Sequence, residues 1–345
     1  MTSELVLEPP APLLAPRARE RLDALERAKD YVRDPHAENT KRAYSGAAKR
    51  WYAYCDLHGL DYTPIDPLEL TGYLDQMTRA GLAPNTVRLH LSALCSLDQV
   101  SRATPDNPTP QSLRASLIVQ RWEEKWARSN PKRPRRKAAP FELHALERVL
   151  CIVAERPKNA SAAAHVLQAA RDRCLLLFGV LGAFRASDLG ELELANVEPT
   201  ERGLRVLLPR SKTDQHGEGK FRAIMPQGRR LLCAVDAFLM WRRVRGSAPG
   251  ALFPPITRAG ELELGRALSE RQITRLVTAY GERAGLELRH SSHSMRRTFY
   301  VQTMNKGKPL RRVMDHAGCT TADVALGYME QAQLFDDNPT AGLLE

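Results

Sequence analysis

Apolar and polar positions in this chain alternate with a helical period over much of its length. In NTKRAYSGAAKRWYAYC, from Asn39, residues Tyr44, Ala47, Ala48, Trp51 and Cys55 fall on one stripe and Lys41, Arg42, Ser45 and Lys49 on the other. The spacing predicts a helix with one packing face and one cationic face. A second helix is expected over Leu68 to Arg79. A third begins at Asn85 or Thr86, where PNTVRLHLSALCSL gives a start signal followed by Val87, Leu91 and Leu94. The pattern implies a four- or five-helix bundle ending near Ala127.

Farther along, Leu204 to Leu208 and Phe221 to Met225 are strand-like apolar runs on either side of PRSKTDQHGEGK, which predicts a β-hairpin with a long polar tip. An apolar helix from Cys174 to Val180 runs into Gly182. Arg185 follows where the chain turns into a new helix that Ser187 is expected to cap. Ser291 or Ser292 opens a helix on which His293 and Arg296, three apart, share a face. That helix stops at Asn305 to Gly307, restarts at Pro309, stops again at Gly318 and restarts from Thr320 or Thr321, leaving Tyr328 on a short final helix. From Phe141 onward the chain thus reads as mainly helical with one short sheet.

A length of 345 residues points to two globular units. Lys and Arg number 51 against 40 Asp and Glu, a formal charge of +11, while 43% of residues are hydrophobic. This is a folded basic protein, and a surplus of that size favours a polyanionic partner. The charge is −1 over 1–36, zero over 37–127, +6 over 128–140 and +6 over 141–345. Residues 128–140, RSNPKRPRRKAAP, hold three prolines and no acid, so they read as an interdomain strap. Lys132, Arg133, Arg135, Arg136 and Lys137 would lie along phosphates there, the two halves closing on DNA as a clamp. Residues 1–36 open rich in proline and are expected to form a flexible tail and a peripheral helix.

No run of 18 apolar residues and no basic leader ahead of an apolar stretch is present, so the expected place is cytoplasmic and nucleoid-associated, without a membrane. Six cysteines lie singly with no C-x-x-C pair, which argues against a disulfide framework or a zinc ribbon, and no metal site is expected. On local grounds alone, Arg185 reads more readily as an ion-pair residue, with Asp188 its candidate partner.

Two stretches change that reading together. AFRASDLGEL, with an acidic residue three positions after Arg185, and HSMRR, with Tyr328 32 residues after Arg296, resemble the tyrosine recombinase (phage integrase) family, and within it the Cre-like members. The resemblance covers roughly residues 38 to 345. It implies a mainly α fold: an N-terminal helical core-binding bundle over 37–127, the basic linker over 128–140, and a mixed, mostly α catalytic domain with a small antiparallel sheet over 141–330. The bundle and the catalytic domain would form a C-shaped DNA clamp, and a tail helix over 331–345 would dock on a neighbouring protomer.

The resemblance also assigns roles. The two arginines fall on Arg185 and Arg296, the first histidine on His293, the hairpin lysine on Lys212 in RSKT, the nucleophile on Tyr328, and a supporting carboxylate on Asp188. Lys220 competes with Lys212 at the far end of the loop. Where the family carries a histidine or tryptophan just after a glycine, nine residues before the nucleophile, Gly318 is followed here by Cys319. His316 is the alternative occupant, and the Gly318 stop favours Cys319.

These residue types suit phosphoryl transfer. Planar guanidiniums donate paired hydrogen bonds to non-bridging phosphate oxygens, which lysine does less well. A phenolate, with an ordinary pKa of about 10, leaves far better than an alkoxide, so tyrosine suits reversible attachment. Lys212 would protonate the departing 5′ oxygen, and His293 would position or deprotonate the attacking hydroxyl. A phosphotyrosine conserves the energy of the phosphodiester it replaces, so neither a metal nor a nucleotide cofactor is expected.

Tyr300 reads as structural, and His290, His216 and His144 as surface or capping residues. Lys41, Arg42, Lys49, Arg88 and His90 are the candidate DNA contacts of the bundle. The implied partner is double-stranded DNA with inverted-repeat core sites, bound by a homo-tetramer assembled from monomers. Two rivals share these features: a type IB topoisomerase-like relaxing enzyme, and a catalytically degenerate DNA-binding regulator, to which Cys319 points.

Overall fold

The computed structural model describes residues 38–101, 113–129, 138–155, 162–209 and 219–327. The chain divides into two compact units between Arg135 and Arg136. The tail over 1–36, Lys132 to Lys137, Lys212, His216, Tyr328 and the segment 331–345 lie outside the described residues.

In the first unit the described helices are α1 (Glu38–His58), α2 (Pro67–Arg79), α3 (Pro84–Ser101) and α4 (Leu113–Ser129). Sequence punctuation explains the starts. The Asp66 carboxylate accepts the N–H groups of Leu68 and Glu69 at 2.7 and 3.2 Å, with Pro67 in the first turn, which offsets the orphan donors of a helix N-terminus. Ala47, Trp51 and Cys55 of α1 are buried, as their stripe requires. Trp51 and Cys55 share a core cluster with Leu70, Tyr73 and Leu74 of α2 and Val87, Leu91 and Leu94 of α3. Polar atoms carried inward are matched: Trp51 Nε1 donates to the Tyr62 carbonyl at 2.9 Å, and the buried Asp98 carboxylate accepts from the Ile65 N–H at 2.7 Å.

His90 corrects the expectation of a DNA contact. It is buried in this core, and the Tyr73 hydroxyl meets its Nδ1 at 2.8 Å. Burial lowers its pKa below the ordinary imidazole value, as does the nearby Arg50. Three residues after Val87 and one before Leu91, His90 lies on the apolar stripe itself.

The second unit is built on α6 (Ala162–Leu181), buried nearly all round from Arg171 to Val180. Around it pack α5 (Leu143–Ala154), α8 (Ala234–Arg245) and α10 (Ser292–Asn305). Phe178 stacks on Phe184 and packs tilted against Phe238 and edge-on against Phe253 in the core. The remaining helices are α7 (Ala186–Glu191), α9 (Glu270–Arg283), α11 (Leu310–Ala317) and α12 (Ala322–Leu326). The stops fall where glycine and proline placed them: α10 ends at Asn305, Pro309 precedes α11, and Gly318 closes α11 in the left-handed conformation at φ 61°.

The sheet has three antiparallel strands in the order β1 (Val197–Thr200), β2 (Gly203–Leu208), β3 (Lys220–Ile224), with Leu204 opposite Ile224 and Leu208 opposite Lys220. The expected hairpin is β2–β3. The added strand, Val-Glu-Pro-Thr, buries only Val197 and so carries no apolar pattern. Two further expectations are corrected. Arg185 itself occupies the N-cap position of the helix that follows, its backbone N–H donating to Asp188, and Ser187 lies inside that helix. His290 is buried, its ring stacked on Phe141 at 4.4 Å, and is not a surface residue. Among the described residues no helix is long and apolar enough to cross a membrane.

Candidate active site

The site is assembled around the turn that ends α6. Gly182 allows that turn, because a Cβ there would lie 2.2 Å from the Phe184 ring. Ala183 follows at φ 49°, the positive-φ residue other than glycine in the described chain, a conformation that costs an alanine about 1 kcal/mol. Three consecutive carbonyls of this turn each receive a donor from a different element. Leu181 O meets His316 Nε2 of α11 at 2.9 Å, Gly182 O meets Arg222 Nη1 of β3 at 2.7 Å, and Ala183 O meets Arg296 Nη1 of α10 at 2.5 Å. Held in this way, the turn delivers Arg185 to the N-terminus of α7.

Arg185 does not pair with Asp188 through its side chain. The Asp188 carboxylate instead accepts the Arg185 backbone N–H at 3.0 Å and stands 4.0 Å from Arg222 Nη2. Arg296 is 2% exposed, and its Nη2 reaches the Tyr300 hydroxyl at 3.3 Å. Tyr300 is wholly buried, and its structural role is to hold that guanidinium. Arg185 Nη1 and Arg296 Nε are buried without a hydrogen-bond partner among the described residues. Donors so placed are costly unless an acceptor arrives.

Electrostatics links these groups with His293. Burial lowers the His293 pKa below the ordinary imidazole value, and Arg296 and Arg185 lower it further, with Glu270 opposing. His293 is therefore a neutral imidazole at pH 7. Arg222 is pushed down to about 10, first by burial and then by Arg296 and Arg185, with Asp188 opposing; it remains a cation at pH 7. Burial also lowers His316, as do Arg222 and Arg296. The arrangement sets two buried guanidiniums, Arg222 and Arg296, and the half-buried Arg185 against the Asp188 carboxylate, so it attracts an anion with planar or tetrahedral oxygens.

Of the residues read from sequence, Arg185, Asp188, His293 and Arg296 come together. Cys319 follows Gly318, half-buried, with its thiol donating to the Thr321 carbonyl at 3.3 Å. His316 is held by the Leu181 carbonyl and stacks on Phe299 at 4.9 Å. Lys220 is exposed at the start of β3. Ala325, three residues before Tyr328, is buried in a small cluster with Ala183, Tyr300, Val313 and Ala317. In the bundle Arg42 and Lys49 are exposed and Lys41 half-buried, while Arg88 is bonded to Glu123. Arg222 was missed by sequence reasoning; the alternation of β3, which turns Arg222 and Ile224 inward and Phe221 outward, is its one local signal.

The profile of the phage integrase family matches residues 155–332, more than half of the chain. The chain belongs to the phage integrase family. It is thereby a tyrosine recombinase, an enzyme of site-specific recombination, and Arg185, Lys212, His293, Arg296 and Tyr328 all fall inside the matched span. An integrase/recombinase xerD homolog from Selenomonas ruminantium is 26% identical to it over 316 residues, 90% of this chain and 87% of the relative. The tyrosine recombinase XerC of Haemophilus influenzae is 24% identical over 330 residues, 91% of this chain and 96% of the relative. Among solved structures, a lambda integrase dimer bound to a COC′ core site has a TM-score of 0.56 at 13% identity, covering 88% of this recombinase and 93% of that chain. The Tn1549 transposon integrase in complex with transposon right end DNA gives 0.55 at 15% identity, covering 88% and 93%. These two likenesses establish the fold.

Proposed function

We propose that this recombinase breaks and rejoins double-stranded DNA at specific sites through a 3′-phosphotyrosyl intermediate on Tyr328. The reading rests on one observation above the rest: Arg185 and Arg296 converge with orphaned, buried N–H donors, beside a neutral His293. The two guanidiniums donate to the non-bridging oxygens of the scissile phosphate and offset the charge that grows there as the nucleophile arrives. The Tyr328 phenol attacks phosphorus in line and gives its proton toward His293. The bond from phosphorus to the 5′ oxygen breaks, and Lys212 protonates the departing oxygen. A 5′-hydroxyl of a partner strand then reverses the steps and releases the tyrosine. Each step exchanges one phosphoester for another, so no nucleotide supplies energy, and the arginines supply the charge that a metal would otherwise bring.

Duplex DNA with inverted-repeat core sites is the partner, gripped by the cationic face of α1 and by the basic stretch over 128–140 as a clamp. Four copies assemble on paired sites, each donating its terminal segment 331–345 to a neighbour.

The test uses duplexes that the full-length protein itself selects from a random-sequence pool, then nicked at successive positions so that a short 5′-hydroxyl fragment is lost after cleavage. A covalent adduct is expected in chelator and without nucleotide, with the DNA 3′ phosphate mapped to the peptide bearing Tyr328. No adduct, or attachment elsewhere, overturns the mechanism.

A pH profile follows from His293. The second-order rate of adduct formation reports groups of the free protein, and His293 must be neutral to take a proton. Because its pKa is lowered below 6.5 in the fold, the rate is expected to stay level as pH falls through 6.5 and to decline only beneath it. His293→Gln is expected to be slower and to lose that acid limb. A limb centred at or above 6.5 in the wild-type protein contradicts the assignment.

A further inference from the structure

Arg222 is a buried cation with no place in the steps above. It sits on β3 and is 5% exposed. Its fork is spent on backbone: Nη1 donates to Gly182 O at 2.7 Å, and Nη2 donates to Ala317 O at 3.2 Å. Its plane covers the Phe184 ring at 4.9 Å, and Asp188, which holds the Arg185 N–H, is its nearest carboxylate partner at 4.0 Å. The two carbonyls belong to different turns. Gly182 lies three residues before Arg185, and Ala317 closes α11 just ahead of Cys319 and the helix that leads to Tyr328. A Cβ on Gly318 would come within 3.1 Å of Arg222 Nη2, so the second turn also approaches as closely as a glycine allows.

Only a planar, two-armed donor can bridge acceptors in this way. An ammonium is a point charge and would serve one carbonyl at the expense of the other. Desolvating a guanidinium is costly, and an apolar side chain would fill the same space without that cost. The bridge is thus the feature that distinguishes arginine here from a mere filler.

We propose that Arg222 is a positioning residue for strand cleavage, fixing the Arg185 turn against the turn that leads to the nucleophile and tying both to the hairpin strand β3. The inference rests on the phosphotyrosyl reading above. Misplacement of reacting groups by about 1 Å costs on the order of 100-fold in rate.

The experiment compares full-length wild type, Arg222→Lys and Arg222→Met on the selected, nicked duplexes, with affinity, adduct rate at saturating protein, and thermal melting measured for each. Both variants are expected to bind within about threefold of wild type, a small free-energy change. Adduct formation is expected to fall about 100-fold in Arg222→Met and about 10-fold in Arg222→Lys. The lysine variant carries a further mark. In a buried site beside two other cations its ammonium loses its proton well below the ordinary value of about 10.4, so its rate should decline at alkaline pH where the wild-type rate is level. Variants that cleave within about threefold of wild type overturn the proposal. So does a loss of rate in both that matches the fraction of protein unfolded. Absence of any wild-type adduct overturns the phosphotyrosyl reading and this role with it, whereas a normal wild-type adduct with unaffected variants overturns this role alone.

Discussion

The Tyr328→Phe protein is expected to bind its selected duplex as tightly as wild type and to form no covalent adduct with it. Phenylalanine keeps the ring and removes the one oxygen that would become bonded to phosphorus. Deleting the nucleophile of a covalent mechanism costs on the order of 10⁴-fold or more, which places the product below detection. The other tyrosine near the arginines offers no substitute: Tyr300 is wholly buried, and its hydroxyl is held at 3.3 Å by Arg296. Binding and cleavage are therefore separable in this variant, by gel shift and by denaturing gel on the same samples. An adduct that persists in Tyr328→Phe removes Tyr328 from the mechanism. Loss of binding together with cleavage would mean that the variant had failed to fold.

Arg185→Ala and Arg296→Ala should both slow adduct formation by about 10² to 10³, the usual cost of removing a donor aimed at developing charge. They should differ in stability. Arg296 also serves the Ala183 carbonyl, and truncating it leaves that buried acceptor unpaired at about 1–3 kcal/mol. For a unit of this size that lowers the melting temperature by roughly 2–4 °C per kcal/mol. Arg185 braces no other residue through a described hydrogen bond and has an orphaned Nη1, so Arg185→Ala should melt close to wild type. Rate measured at saturating protein, alongside calorimetry, separates the two. Equal melting temperatures would show that Arg296 does not hold the turn; unimpaired cleavage in either variant would take that arginine out of the reaction.

Much of this architecture was legible because it is punctuated. Ser291, Asn305 to Gly307, Pro309 and Gly318 mark the boundaries of α10 and α11, and their effects are local, so the faces of His293 and Arg296 could be placed from spacing alone. The β2–β3 hairpin was visible from its apolar runs. Errors arose where a side chain's fate is decided by distant parts of the chain. His90 looked like a polar position on a DNA-facing helix although its spacing from Val87 and Leu91 already put it on the core stripe; its partner Tyr73 lies on another helix. Arg222 went unmarked inside the apolar run Phe221 to Met225, because the carbonyls that hold it lie 40 and 95 residues away. Arg185 appeared to need Asp188 as a salt-bridge partner, whereas the carboxylate is used on its backbone N–H.

The braced turn before Arg185 also bears on when the enzyme becomes dangerous to DNA. Its three carbonyls wait for donors 40, 113 and 135 residues distant in sequence, and contacts of such span form only after the intervening chain has closed its loop. A chain that has not yet reached β3 holds Arg185 and the whole of α6 with none of the three donors, and one that stops short of α11 still lacks His316 and Tyr328. Arming therefore follows the synthesis of β3, α10 and α11 in turn, each supplying one donor to the same three carbonyls.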